Sequence, residues 1–379
     1  MLSTTSPQTD SCMSVLFIIP YNPLDESGGL QNRTVRQAKA LAKLGCRTEV
    51  WSTGQSGERD GVSVRGFKSF GALLARVLSV KRYRVVHWME LWPNTACVYL
   101  QHLTAYLQHL RGVRSVLTVA TLGNMRSRGG GSLGYAMTRR GYEAVTVLNE
   151  AQVGELVGCG IPKGKVHLFH CGLDPSKDFV PVDADTKARL RAQLNLPSER
   201  PIVLYLGRMV ERKRVELLVH LWLDEPTFSQ DALLLLVGSS WHHEDSADAK
   251  IGAMLAGIDR RSILKVGSVS APWLYYQSSD FLVTLSLREG ESNTVVEAMS
   301  CGIPVVGSDI PGINSIVNHE VSGLLFDPFD SALFVQYTKR LIEDECLRLH
   351  MGREARRQIE ATRGISAIAR QYLDLYRSL

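Results

Sequence analysis

Two short apolar runs, residues 281–285 and 303–306, bracket the segment Arg288-Glu-Gly-Glu-Ser-Asn-Thr-Val-Val-Glu-Ala-Met-Ser-Cys-Gly302. Runs this short read as buried strands, and the stretch between them reads as a turn, a helix and a stop. Strands joined through a helix pair in parallel, because a parallel pair needs a long crossover. Open parallel sheets take ligands at the carboxyl ends of their strands. Glu289 and Glu297 stand at that end, eight positions apart, with Gly290 turning the chain between them. Asn293 reads as the N-cap, and Gly302 followed by Pro304 as the stop. The amides of Ser292, Asn293, Thr294 and Val295 then point out of the helix start, an arrangement suited to an anion. Two carboxylates flanking a phosphate cradle suit a ligand with hydroxyls on both sides of its phosphates. The same residues would also serve a surface helix with an acidic first turn.

A second segment supplies the opposite charge. The apolar run 202–206 leads into Gly207-Arg-Met-Val-Glu-Arg-Lys-Arg214, and a helical pattern follows at Val215, Leu217, Leu218 and Leu221. Arg208 and Lys213 flank this strand-to-helix turn. Arginine offers phosphate a planar fork and lysine a point charge. Solvated surface cations are the plainer alternative. Cations at one strand end and carboxylates at another, in one α/β domain, favour a bound phosphate ester.

These two segments resemble those of the retaining glycosyltransferases of family 4. The family's Glu-x7-Glu element matches Glu289 and Glu297, and its Gly-Arg-x-x-x-x-Lys element matches Gly207, Arg208 and Lys213. Flanking stretches at 276–280, 297–306, Gly312 and 323–328 match as well. Gly28-Gly29, after the first strand, resembles the family's glycine pair, and His170-Cys-Gly-Leu-Asp174 its interdomain passage. The resemblance implies the GT-B fold, with two doubly wound, Rossmann-like parallel-sheet domains facing a cleft. It implies a nucleotide diphosphate sugar as donor, UDP-linked by family frequency, and no metal or other cofactor. Arg208 and Lys213 would hold the diphosphate and Glu289 the donor sugar. Glu297 would hold the ribose, and the backbone at Gly28, Gly29, Gly290, Ser292, Asn293 and Thr294 would approach the donor.

Three departures stand out. Alanine occupies position 120, where many members carry a histidine, and Thr121, Asn124 or Arg126 are the candidates to serve the acceptor side in its place. The family's Lys-Gly reads Lys213-Arg214. Its Glu-Gly-Phe-Gly reads Glu289-Gly-Glu-Ser. The alternatives left open are a catalytically silent sugar-binding scaffold and a nucleotide-sugar epimerase or phosphorylase of the same architecture.

Alternating strand and helix patterns run through the whole chain of 379 residues, which suits two domains. In the first half, strands are expected at 15–19, 47–51, 85–88, 116–119 and 144–148, with helices at 30–44, 73–80 and 96–110. Strands at 202–206, 233–237, 263–266, 281–285 and 305–306 build the second sheet. The expected domains are 1–180 and 181–361, with a linker over 174–199 and a terminal helix, about 362–379, packing back on the first. Arg126, Arg128 and Gly129–Gly131 read as a basic, glycine-rich loop on the acceptor side or as a connector.

An apolar fraction of 45% and a charged fraction of 21% belong to a globular protein. No apolar run approaches bilayer length, and the first ten residues lack the basic flank of a signal peptide. Seven scattered cysteines fit neither a disulfide framework nor a zinc site. The chain therefore reads as cytoplasmic. Its net charge of +5 divides unevenly, +9 over residues 1–180 and −4 over the rest. A basic first domain suits a lipid-linked or anionic acceptor and peripheral contact with the inner face of a membrane, or is simply a solvated surface. Residues 73–84 fit either a membrane-surface helix or, better, a core helix. No interleaving of basic and aromatic residues points to nucleic acid. Asp183-Ala-Asp185 and His242–Asp245 are poor metal candidates, lacking a strand end or a fixed spacing.

Overall fold

Tertiary contacts divide the chain into two units, each built on one sheet. The computed structural model describes residues 13–24, 28–80, 82–121, 123–239, 247–259 and 261–379. The first unit comprises residues 1–147, 152–169 and 365–379, and the second 148–151 and 170–364. The chain passes into the second unit at His170, earlier than the expected boundary at 180, and leaves it after Gly364. Met1–Asp10, Lys81 and His242–Asp245 lie outside the described residues.

The strands of the first unit are β1 (Ser14–Ile18), β2 (Arg47–Thr53), β3 (Gly57–Arg59), β4 (Val62–Phe67), β5 (Val85–Trp88), β6 (Arg114–Thr118), β7 (Ala144–Val147) and β8 (Val166–Leu168). Their order is β3-β4-β2-β1-β5-β6-β7-β8, antiparallel only between β3 and β4. The central strands carry helices on both faces, so they read as unbroken apolar runs. Val15, Leu16 and Phe17 are wholly buried, as are Val85, Val86 and Trp88. The expected helices appear as Gly29–Lys43, Phe70–Ser79 and Thr95–Leu110. Leu73, Leu74 and Val77 are buried in the core, which settles the 73–80 pattern as a core helix. The Ser69 hydroxyl starts it, accepting from the Ala72 amide at 3.2 Å.

The second unit contains β9 (Ile202–Leu206), β10 (Leu233–Val237), β11 (Ile263–Val266), β12 (Phe281–Thr284), β13 (Val305–Ser308) and β14 (Gly323–Phe326). All pairs are parallel, in the order β11-β10-β9-β12-β13-β14. The first three strands build the sheet one way and the next three the other. Loops leaving β9 and β12 therefore diverge at a topological switch point and leave a crevice at the strand ends.

Two expected irregular stretches are ordered. The linker 174–199 contains the helix Ala184–Gln193, with the Asp183 carboxylate accepting from the Thr186 amide at 2.7 Å. Arg191 ties that helix to the sheet through Ser278 O at 2.9 Å and Asp280 at 2.6 Å. A cap and a buried arginine are invisible to hydrophobic periodicity. The basic, glycine-rich loop over 126–131 is the end of one helix, Asn124–Arg128, and the start of another, Gly131–Gly141. Gly129 and Gly130 break the helices rather than supplying a free loop; Gly130 has φ +82°.

The helix Ile365–Ser378 completes the first unit. Ile368, Tyr372 and Tyr376 are buried beside Val15, Phe17 and Val35. The Tyr376 hydroxyl lies 2.6 Å from His87 Nδ1, and Thr118 Oγ1 lies 2.7 Å from His87 Nε2. Arg33 donates to the Tyr372 hydroxyl at 2.9 Å. Burial, with the nearby Arg33 charge, holds His87 well below its ordinary pKa, so the ring is neutral. Truncating Tyr376 to alanine empties a core position and is expected to cost about 3–5 kcal/mol. Tyr376→Phe removes only the hydroxyl, which partners His87 Nδ1 and accepts from Gln37 at 3.4 Å, and is expected to cost about 1–2 kcal/mol. Urea unfolding of the two variants at neutral pH checks that ordering.

Candidate functional site

The two charged segments meet at the switch point of the second sheet. Gly207 and Arg208 follow β9, and Glu289 follows β12. Their loops are stitched together by the Leu287 amide, which donates to Arg212 O at 2.9 Å. Lys213 Nζ forms an ion pair with Glu289 Oε1. Arg212 lies 3.5 Å from Glu289 Oε2 and donates to Arg288 O at 3.1 Å. Both side chains of the Lys213–Glu289 pair are about nine-tenths buried, at 11% and 10% exposure. Burial alone would raise the Glu289 pKa, but Lys213 and Arg212 outweigh it and hold the carboxylate below its usual range. Burial lowers Lys213, and the neighbouring Arg212 and Arg208 charges push the same way, against the pull of Glu289. Arg212 was not singled out in the sequence, where it is one of three consecutive basic residues.

Arg214 explains one departure. Its φ of +55° and ψ of +38° are left-handed, a conformation glycine adopts without strain. The side chain offsets that strain by donating to Pro328 O and lying 5.8 Å from the Phe329 ring centroid.

The helix Asn293–Ser300 begins one residue earlier than expected. Its N-cap is Ser292, not Asn293, and no side chain caps it. The Ser292 amide is also not directed outward: it donates to Gly312 O at 3.0 Å. Ser292 Oγ instead lies 3.1 Å from Thr294 Oγ1. Gly302 stops the helix at φ +72°, as its position suggests, with its amide donating to Met299 O at 3.0 Å. Glu297 is buried one turn in and accepts from the Tyr276 hydroxyl at 3.1 Å.

Gly312 lets the backbone close over Glu289. A Cβ there would lie 2.5 Å from Glu289 Cβ and 2.7 Å from its carbonyl oxygen. Gly312→Ala must therefore displace Glu289 from Lys213. We expect it to cost about 1–3 kcal/mol and to lower activity more than its stability loss explains. Thermal melts paired with initial rates check this.

Gly28, Gly29, Thr121, Asn124 and Arg126 belong to the first unit. Gly28 is the N-cap of the helix Gly29–Lys43 and has extended backbone, φ −145°. Thr121 is half-buried and its carbonyl accepts from the Asn124 amide at 3.2 Å. Asn124 opens the short helix whose first turn includes the exposed Arg126. Two buried carboxylates fix this stretch. Glu155 accepts from the amides of Gly123 and Arg126 at 2.7 and 3.1 Å. Glu90, directly after β5, accepts from the amides of Leu91 and Ala120 at 2.9 and 3.0 Å, and from the Asn124 side chain. Where the family's histidine is absent, a buried acid thus holds the backbone. Burial raises Glu90 from 4.5 to about 7, against the opposing amides of Leu91 and Ala120 and the Asn124 side chain.

A carboxyl raised in the folded state adds stability below its unfolded pKa that is lost as pH rises through the folded value. The Glu90 contribution should therefore decline from about pH 4.5 to about pH 7. Urea titrations of the parent and Glu90→Gln at pH 5 and pH 7.5 test it. The difference between them should shift toward the glutamine variant at the higher pH by about 1–3 kcal/mol.

Residues 186–358 match the family described as glycosyl transferases group 1, and residues 27–177 match the one described as glycosyltransferase family 4. A D-inositol 3-phosphate glycosyltransferase of Xylanimonas cellulosilytica is 23% identical, over 92% of this chain and 93% of its own. A sucrose-phosphate synthase from Thermosynechococcus elongatus superposes with a TM-score of 0.79 at 23% identity, covering 97% of this chain and 98% of that one. Anabaena Alr3699/HepE, solved in complex with UDP-glucose, superposes at 0.83 with 18% identity, covering 97% and 100%. These superpositions show the GT-B fold. The chain is an enzyme of the glycosyltransferase class, and it belongs to the group 1 and family 4 glycosyltransferases.

Proposed function

We propose that this glycosyltransferase is retaining and metal-independent, taking sugar from a nucleoside diphosphate donor, with UDP favoured. The observation that carries the proposal is the buried Lys213–Glu289 pair, with Arg212 beside it, where the loops of β9 and β12 meet. HepE, of like fold, was solved with UDP-glucose, UDP, and UDP and glucose. In this proposal Lys213 and Arg208 take the charge that develops on the leaving diphosphate. Fixed charges in a site largely shielded from water make that stabilisation strong. Glu289, ionised and already oriented, accepts from donor-sugar hydroxyls. Glu297 binds the ribose, and the backbone at Gly290, Asn293 and Thr294 approaches sugar and phosphate. Gly28 and Gly29 would meet the donor from the first unit, and Thr121, Asn124 and Arg126 would serve the acceptor.

The acceptor is a glycan, a lipid-linked glycan or a small molecule. The basic first half would suit an anionic or lipid-linked acceptor and peripheral contact with a membrane's cytoplasmic face. No helix among the described residues is long and apolar enough to cross a membrane.

A thermal-shift screen with UDP, GDP, ADP and their sugar conjugates tests the donor site, since a ligand bound only by folded protein raises the midpoint. One nucleotide should stabilise, and Glu297→Ala should weaken its binding about tenfold. Lys213→Ala should lower turnover about a hundredfold while changing donor affinity far less. Small, equal effects in the two variants would defeat the assignment. The anomeric configuration of the first product, read by NMR, tests retention.

A further inference from the structure

The loop carrying Glu289 is held on its other side by a buried cluster outside the expected site. The Glu291 side chain is fully buried. Its Oε1 lies 3.0 Å from Arg363 and 3.0 Å from His170 Nδ1, and its Oε2 accepts from the Cys171 amide. Arg363 is itself 3% exposed and also donates to Ser315 O at 2.7 Å. One residue back, Gly290 O accepts from the Asn149 side chain. The Leu173 amide closes the ring by donating to Arg363 O at 2.9 Å.

All these residues belong to the second unit, yet Asn149, His170, Cys171, Leu173 and Arg363 lie where the chain enters or leaves it. Asn149 is in the segment 148–151, His170 and Cys171 follow the passage at 169, and Arg363 precedes the passage at 364. Residues 290 and 291 are therefore bonded to every segment by which the chain joins this unit. A carboxylate at 291 is costly to bury and needs its partners. An apolar side chain there would pack without them.

We propose that Glu291 is a positioning residue for the donor site. Its bonds to Arg363, His170 and the Cys171 amide clamp the turn at 290–292, and so set Glu289 against Lys213. Donor affinity then depends on the state of the chain passages, and a shift at 170–171 or 363 is felt at Glu289. The inference rests on the donor-site assignment above.

The test compares the parent with Glu291→Leu, Arg363→Met and the double variant. Removing one partner leaves a buried charge, so each single variant should melt lower; removing both should restore much of the midpoint. A merely structural pair would recover activity together with stability. Under the proposal the double variant regains its midpoint but keeps a donor KM raised about tenfold and faster hydrogen exchange at the amides of 289–293. Recovery of KM and exchange along with the midpoint would overturn it, as would parental KM and exchange in the single variants. UDP and UDP-glucose are the probes. The exchange arm needs no ligand, so a parent protein that binds no nucleoside diphosphate would refute the donor site and still leave the clamp to be decided.

Discussion

The reversal of strand order between β9 and β12 is the constraint on which the site depends. Parallel strands require crossovers, and right-handed crossovers from a central pair must leave on opposite faces. The loops at the carboxyl ends of β9 and β12 therefore part, and each can carry a charged group with no helix between them. Here one loop carries Arg208, Arg212 and Lys213, and the other carries Glu289. Charges this buried persist only when paired. The pairing of Lys213 with Glu289 orients both side chains and keeps the carboxylate ionised.

Support for that pair comes from three directions. Gly312 lets the backbone lie against Glu289 where any side chain would collide. The amide of Leu287 fixes the β12 loop to Arg212 O at 2.9 Å. Glu291, two residues on, anchors the turn to Cys171, His170 and Arg363. The site is thus rigid through backbone contacts and one buried charge cluster. Side chains held in this way need little reordering when a ligand arrives, which is how preorganised sites lower the cost of binding.

The sheets were legible in the sequence because strands buried on both faces leave unbroken apolar runs. Every expected strand overlaps an observed one, from Val15 to Val306. β3, β4, β8 and β14 were missed: β3, β8 and β14 are edge strands of three or four residues, too short to show a period, and β4 offers only Val62 and Val64 before Arg65 and Gly66 interrupt the pattern. Arg208, Lys213, Glu289 and Glu297 were legible through spacing around strand ends. Glu90 and Glu291 were not. Their partners stand 30 and 120 positions away, and an acid in a turn looks solvated until the fold closes over it. The cap at Ser292 was displaced by one residue because Ser, Asn and Thr in succession all have capping chemistry, and tertiary bonding to Gly312 chose among them.

The return of the helix Ile365–Ser378 to the first unit orders events during synthesis. Residues 1–147 emerge first but lack Tyr372 and Tyr376, which fill their core and meet His87. The second unit, whose core is drawn from its own residues, can be complete by Gly364. On a ribosome one face of the amino-terminal sheet therefore stays uncovered until residues 365–379 are made, and the first unit can be completed no earlier than the second. Completion of the first domain before the second, the usual vectorial order, is not open to this chain.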